Sequence, residues 1–216
     1  MVKSLDLLCG HALLEELAAG VAALGISIPE GQQRTLIQYL QLLAKWNRTY
    51  NLTAIREPAQ MVTHHLLDSL AVLPYVKGPR LLDVGSGAGL PGLVLAIADS
   101  QLHCVLLDSR GKKTRFLTQA VVELKLSNVK VIQARVESYQ PEHAFDTIVS
   151  RACASLAAFE AATSRLLVPG GRLLAMKGTH PGAEIDALQH PERTIVHRLA
   201  VPGLNAERHL VVIESP

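Results

Sequence analysis

Apolar and polar positions along the chain follow two regimes, and the change comes near residue 80. In "RTLIQYLQLLAKWN", Leu36, Tyr39, Leu40 and Leu43 recur at helical spacing on one stripe, with Pro29 and Glu30 upstream as a helix start. The next stretch, "YNLTAIREPAQMVTHHLLDSLAVLPYV", predicts a loop, a helix opened by Pro58 and an exit at Pro74. From Arg80 onward short β-rich runs appear: LLDV, HCVLLD, VKVIQA, FDTIVS, RLLAMK, TIVHRLAV and RHLVVI. Helical segments lie between them at 90–98, 112–126, 155–167 and, more weakly, 183–189. Such alternation predicts a mostly parallel sheet with helices on both faces. Only "PGLNAE" joins the last two strands, too short for a parallel crossover, so they should pair antiparallel. Two parts are expected: an N-terminal helical cap over 1–78 and an α/β domain over 79–216.

Composition narrows the class. A chain of 216 residues, 49% hydrophobic and 19% charged, is long enough to bury a core and too apolar to be disordered. Asp6, Glu15 and Glu16 interrupt the leucine-rich N-terminus, which reads as a helix rather than a signal peptide, and no run of about 18 apolar residues suggests a membrane span. Cys9, Cys104 and Cys153 make no C-x-x-C spacing, so buried thiols in a cytoplasmic protein are expected. A net charge of +2 identifies no partner. In "SRGKKTRF", however, Arg110, Lys112, Lys113 and Arg115 form either a solvated helix face or a phosphate-contacting patch.

The candidate chemistry centres on "LLDVGSGAGLPGLVLAI", residues 81–97. In a doubly wound sheet, ligands bind outside the carboxyl ends of the strands. The first strand ends at Asp83 and Val84, and Gly85, Gly87 and Gly89 then permit a turn with positive φ. Pro91 suits the first turn of the next helix. Gly87, Gly89 and Gly92 satisfy G-x-G-x-x-G, the dinucleotide fingerprint. The competing frame is Asp83-x-Gly85-x-Gly87-x-Gly89, with Ser86 in the turn. Its carboxylate suits a ligand carrying cations, such as the ammonium and sulfonium of S-adenosylmethionine (SAM), and would repel a pyrophosphate. The second strand ends in Asp108, followed by Ser109; a carboxylate there can accept both ribose hydroxyls of NAD or SAM. The third runs into "QARVESY", where Val136 could pack on an adenine face and Glu137 could bond near its edge. Arg135 and Glu137 could equally be a surface pair. Seven strands with a final hairpin are the layout of class I SAM-dependent methyltransferases, a Rossmann-like seven-stranded sheet, mostly parallel, with an antiparallel last strand.

At finer grain the chain resembles the bacterial small-subunit (16S) ribosomal RNA guanine-N7 methyltransferases, the family also called glucose-inhibited division protein B or methyltransferase G. The resemblance rests on "KWNRTYNLTAI", "HHLLDSL", "LLDSRGKKTRFL", "ARVES", "FDTIVSRACASL", "MKG" and "ERHLVVI" besides the glycine loop, and so spans essentially the whole chain. Arg110 departs from an apolar position, and Leu90 and Cys153 stand where Phe is common. The resemblance implies SAM contacts at Gly85, Leu90, Val136, Glu137 and Arg151. Arg151 also follows the fourth strand, where it could hold a carboxylate or phosphate by paired hydrogen bonds.

Guanine N7 carries a free lone pair, so its methylation needs no general base, and positioning is the work left to the protein. Candidates for guiding RNA are Asn51, His65, Arg151, Lys177 and Arg208, with Arg110, Lys112 and Lys113 on phosphates. His64 and His65 point about 100° apart on a helix, so no metal site is expected. Trp46 reads as core, and Asp68 and Ser69 as ties between cap and catalytic domain. The expected partner is the small ribosomal subunit, with no membrane, and the expected state a monomer. Two other classes stay open: an NAD-dependent oxidoreductase, and a non-catalytic SAM- and RNA-binding assembly factor.

Overall fold

The computed structural model describes residues 2–216, with side chains from residue 10 onward. The expectation for the Cys9 thiol therefore lies outside the described residues.

Helices α1 (Val2–Ala23) and α2 (Glu30–Tyr50) open the chain. The predicted stripe of α2 is buried along its length, as Leu36, Tyr39, Leu40 and Leu43 all lie in the core. Asn51 ends α2 in the left-handed region at φ 49°, a conformation that asparagine tolerates better than most residues. The loop that follows is held by Asn47, whose Oδ1 accepts from Thr53 N at 2.9 Å and whose Nδ2 donates to Ile55 O at 3.3 Å. The helix expected from Pro58 forms in three parts. Short α turns α3 (Pro58–Met61) and α4 (Asp68–Leu70) flank a π-helical stretch, Val62–Leu67, a geometry frequent at functional sites.

The strands are β1 (Arg80–Val84), β2 (His103–Asp108), β3 (Val129–Gln133), β4 (Phe145–Ser150), β5 (Leu167–Lys177), β6 (Thr194–Arg198) and β7 (His209–Glu214). They form one sheet in the order β3-β2-β1-β4-β5-β7-β6, in which β7 alone runs antiparallel, pairing with β5 and β6. The expected final hairpin is present, and its second strand is inserted between β5 and β6. Strand order reverses between β1 and β4, so the binding crevice lies outside their carboxyl ends.

Helices α5 (Gly92–Ala98), α6 (Gly111–Glu123), α7 (Leu156–Thr163) and α8 (Gly182–Asp186) connect the strands. Helix α5 starts two residues later than expected. Pro91 stands just before it rather than inside its first turn. Ser155 caps α7, its Oγ accepting from Ala158 N at 3.2 Å. Between β3 and β4 there is a single 3-10 turn, Val136–Ser138.

Each face of the sheet buries an apolar cluster. One unites Leu17, Tyr39, Leu43, Leu66 and Leu70 of the N-terminal helices with Leu93, Leu95, Phe116 and Leu117 of α5 and α6. The other holds Leu82, Ile148, Phe159, Leu173 and Val211. Trp46 stacks on Tyr50 with ring centroids 5.0 Å apart and tilts against Phe116 at 5.7 Å, a packing role as expected. The helices before β1 thus share a core with the sheet.

Candidate active site

The loop after β1 is built on backbone hydrogen bonds. Gly85 and Ser86 donate to Leu107 O at 2.8 and 3.2 Å, and Gly89 donates to Ser86 O at 2.7 Å. Gly85 takes φ +71°, and a Cβ built on it would meet nothing within 4 Å, so the loop presents bare backbone to open space there. Gly92 has another reason to be glycine. A Cβ on it would fall 2.5 Å from Asp83 Cβ, so it lets α5 pack closely on β1.

Four of the expected cofactor contacts are buried in or beneath the loop. Asp83 is fully buried beneath the loop, where Oδ2 accepts from Gly92 N at 2.8 Å. Burial pushes its carboxyl up to about 7, partly offset by the Gly92 N–H and the Arg151 charge. Ser86 is buried as well, donating to Asp83 O at 2.8 Å. Leu90 is buried in the core shared with the N-terminal helices. Asp108 uses both oxygens on backbone, with Oδ2 accepting from Gly87 N at 2.9 Å and Oδ1 from Arg110 N at 2.8 Å. Each oxygen keeps a second lone pair for a ribose hydroxyl.

Gly85, Ser109, Arg135 and Glu137 are exposed, and Val136 is half-buried. No ion pair joins Arg135 to Glu137 among the described residues. Instead Arg165, unforeseen from sequence, fixes that turn by donating to Val136 O at 2.7 Å and Tyr139 O at 2.9 Å. Helix α2 also reaches the loop: the buried Tyr39 hydroxyl donates to Ala88 O at 2.7 Å. Of the basic stretch, Arg110, Lys112 and Arg115 are exposed. Lys113 folds inward, its Nζ 3.2 Å from where a Gly87 Cβ would stand.

Beside this cleft lies a pocket of about 410 Å³ that brings together His65, Arg151, Lys177 and Arg208, with Thr53 and Asp68. Asn51 does not belong to it; its exposed side chain faces Arg56, whose Nη2 donates to Oδ1 at 3.4 Å. The pocket cations come already engaged. Arg208 Nε donates to Asp68 Oδ1 at 2.8 Å, and Lys177 Nζ to both Glu184 oxygens at 3.0 and 2.9 Å. Arg151 is the least engaged, with Nη1 3.4 Å from His64 O and 3.8 Å from Asp68 Oδ2. His65 is buried and bonds Thr53 Oγ1 through Nε2 at 2.9 Å; burial and the Arg151 charge hold its ring neutral, with a pKa near 4. His64 instead bonds Gln60 O through Nδ1 at 3.0 Å. A larger hollow, about 500 Å³, lies by Arg80, His103 and Phe145 at the amino ends of the strands, the wrong end of an α/β sheet for its ligand.

A family model described as rRNA small subunit methyltransferase G matches residues 32–211. The chain belongs to this family. It is 50% identical over 203 residues to the ribosomal RNA small subunit methyltransferase G of Coxiella burnetii (strain Dugway 5J108-111), covering 94% of this chain and 98% of that one. It is 52% identical over 202 residues to the same-named protein of Laribacter hongkongensis (strain HLHK9), covering 92% and 97%. Among solved structures it is similar to a SAM-dependent methyltransferase of Aquifex aeolicus, with TM-score 0.57, 18% identity and coverage of 82% and 98%. A tRNA (m1A58) methyltransferase from the same organism gives TM-score 0.55 at 16% identity, covering 69% and 68%. These likenesses show the class I methyltransferase fold. In this methyltransferase G chain Gly92 serves the packing of α5 on β1.

Proposed function

We propose that this protein transfers a methyl group from SAM to N7 of a guanosine in 16S rRNA of the small ribosomal subunit. One observation carries the reading. An open glycine cradle and a pocket lined by Arg151, Lys177 and Arg208 meet at Arg151, and the buried titratable side chains of that pocket already hold protein partners. Of its two histidines, buried His65 is tied to Thr53 and half-buried His64 bonds Gln60 O through Nδ1, while Asp68 Oδ1 is paired with Arg208. That suits a nucleophile with a free lone pair and no proton to lose.

The residues at the cleft fit SAM. Bare backbone at Gly85 leaves room for the methionyl end, Asp108 keeps lone pairs for the ribose, and half-buried Val136 offers an apolar edge to adenine. Bound there, SAM would supply an electrophilic methyl group on sulfur. Arg151 stands where it can hold a carboxylate or a phosphate, and the engaged Lys177 and Arg208 shape the acceptor chamber rather than roam. Arg110 and Lys112 lie free to meet RNA phosphates at the rim. The protein works as a monomer, in the cytoplasm where ribosomal subunits reside. No described helix is long and apolar enough to cross a membrane.

Nucleoside analysis of small-subunit rRNA tests this in the cell. A strain lacking the protein should lose a 7-methylguanosine that returns with the wild-type gene but not with Arg151→Ala. An unchanged 7-methylguanosine content would refute the reading.

A further inference from the structure

Asp68 stands apart from the other acceptor-pocket residues. It is a carboxylate 2% exposed, on the wall of a chamber that must admit a base, and its two oxygens are used unequally. Oδ1 accepts a 2.8 Å hydrogen bond from Arg208 Nε. Oδ2 accepts none among the described residues; its charged neighbour, Arg151 Nη1, is 3.8 Å away, beyond hydrogen-bond reach. Yet Oδ2 is not sealed off with the buried polar atoms that lack partners, such as His65 Nδ1 and Ser69 Oγ. An oxygen of a buried carboxylate that stays open toward a pocket keeps its accepting capacity for a donor on whatever enters.

The topology says which edge of the acceptor faces it. The cofactor cleft lies at β1 and on the near side of β4, and the pocket runs from Arg151, after β4, across Lys177 at the end of β5 to Arg208 beside β7. A purine whose N7 points at the cleft must turn its opposite edge toward the β5 and β7 side, where Arg208 pins Asp68. In guanine that edge carries two adjacent donors, N1–H and the 2-amino group. In adenine it presents an acceptor at N1 and no 2-amino group. An ionised carboxylate only accepts hydrogen bonds, so it pairs with the first and repels the second. A base taken out of its stack is commonly read by hydrogen bonds on this edge.

We infer that Asp68 is the residue that selects guanine, with Oδ2 and the second lone pair of Oδ1 accepting from N1–H and the 2-amino group of the acceptor base. The inference rests on the proposed rRNA guanine-N7 methylation and adds the residue that enforces it. Arg208 is then a positioning residue that fixes the plane of the carboxylate. Asp68 joins the pocket from the segment right after the π-helical stretch, which also sets His64 and His65 against the same chamber.

The test is methyl transfer to small subunits reconstituted with rRNA carrying either guanosine or inosine at the nucleotide the wild-type protein methylates. Inosine keeps N7 and lacks the 2-amino group. Wild type should methylate the inosine subunits roughly ten- to a hundredfold more slowly, the worth of one hydrogen bond to a charged acceptor. Asp68→Asn should be slow on guanosine and show a guanosine-to-inosine ratio near one. Arg208→Lys, which keeps the carboxylate, should be slower than wild type with the ratio retained, an outcome a purely structural Asp68 would not distinguish. Equal wild-type rates on the two substrates, or full discrimination by Asp68→Asn, would overturn the assignment while leaving guanine methylation intact. No transfer to the guanosine subunits would overturn both.

Discussion

The Tyr39 hydroxyl donates to the Ala88 carbonyl at 2.7 Å, so a helix laid down before the sheet begins holds the glycine loop after β1. Tyr39 is completely buried, and burial pushes its phenol well above the usual range, so it stays a donor at any physiological pH. Tyr39→Phe keeps the ring and removes that donor. It should cost roughly 1–3 kcal/mol in denaturant unfolding and weaken SAM binding several-fold in calorimetry. Unchanged affinity would mean the loop holds its shape without the helix.

Gly85 and Gly89 separate cofactor binding from stability. Gly85→Ala strains a residue at φ +71° but meets no atom, so it should cost about 1–2 kcal/mol of stability while filling the cradle and abolishing measurable SAM binding. At Gly89, a Cβ would come within 2.9 Å of Leu93 Cβ, so Gly89→Ala should lose folding and binding together. Thermal unfolding alongside calorimetry checks both variants.

Two buried groups tilt stability in opposite directions with pH. Asp83, raised to about 7 by burial, is protonated in the folded protein where the unfolded chain is already ionised. Its contribution is full below about pH 4 and is lost as pH rises through 7. His65, held near 4, resists protonation in the folded state, so its contribution is full above about 6.5 and is lost as pH falls through 4. Unfolding free energies from pH 4.5 to 8 should therefore show a shallower decline toward high pH in Asp83→Asn than in wild type. A shallower decline toward low pH is expected in His65→Gln.

What the sequence made legible was what is local. Strand and helix patterns, the glycine turn and the antiparallel close of the sheet all follow from neighbours along the chain. Which side of the sheet a residue faces was less accessible. Asp83 and Ser86 have the spacing of ligand contacts, but close packing of α5 on β1 puts them under the loop, and Leu90 serves the core with the N-terminal helices. Least legible were pairings between distant segments. Asp68 and Arg208 are 140 residues apart, and only the fold brings the tie expected of Asp68 to this particular arginine. Arg165 at the β3 turn and Glu184 on Lys177 belong to the same class.

Arg110 and Lys112 are exposed at the start of α6, on the rim of the cleft. If they meet RNA phosphates, replacing either with alanine should weaken subunit binding and lower the slope of log K against log salt by about 0.7–1. SAM affinity should stay unchanged. A salt slope equal to that of wild type would make them an ordinary solvated face.

If the glycine cradle and the Arg151-rimmed pocket together methylate guanine N7 in small-subunit rRNA, the protein alone should carry the reaction on its substrate. The direct measurement is transfer of radiolabelled methyl from SAM to small subunits isolated from cells lacking the protein, followed by nucleoside analysis. Label should appear in 7-methylguanosine, abolished by Gly85→Ala and strongly reduced by Arg151→Ala. Label in another nucleoside, or none in RNA while SAM still binds, would contradict it.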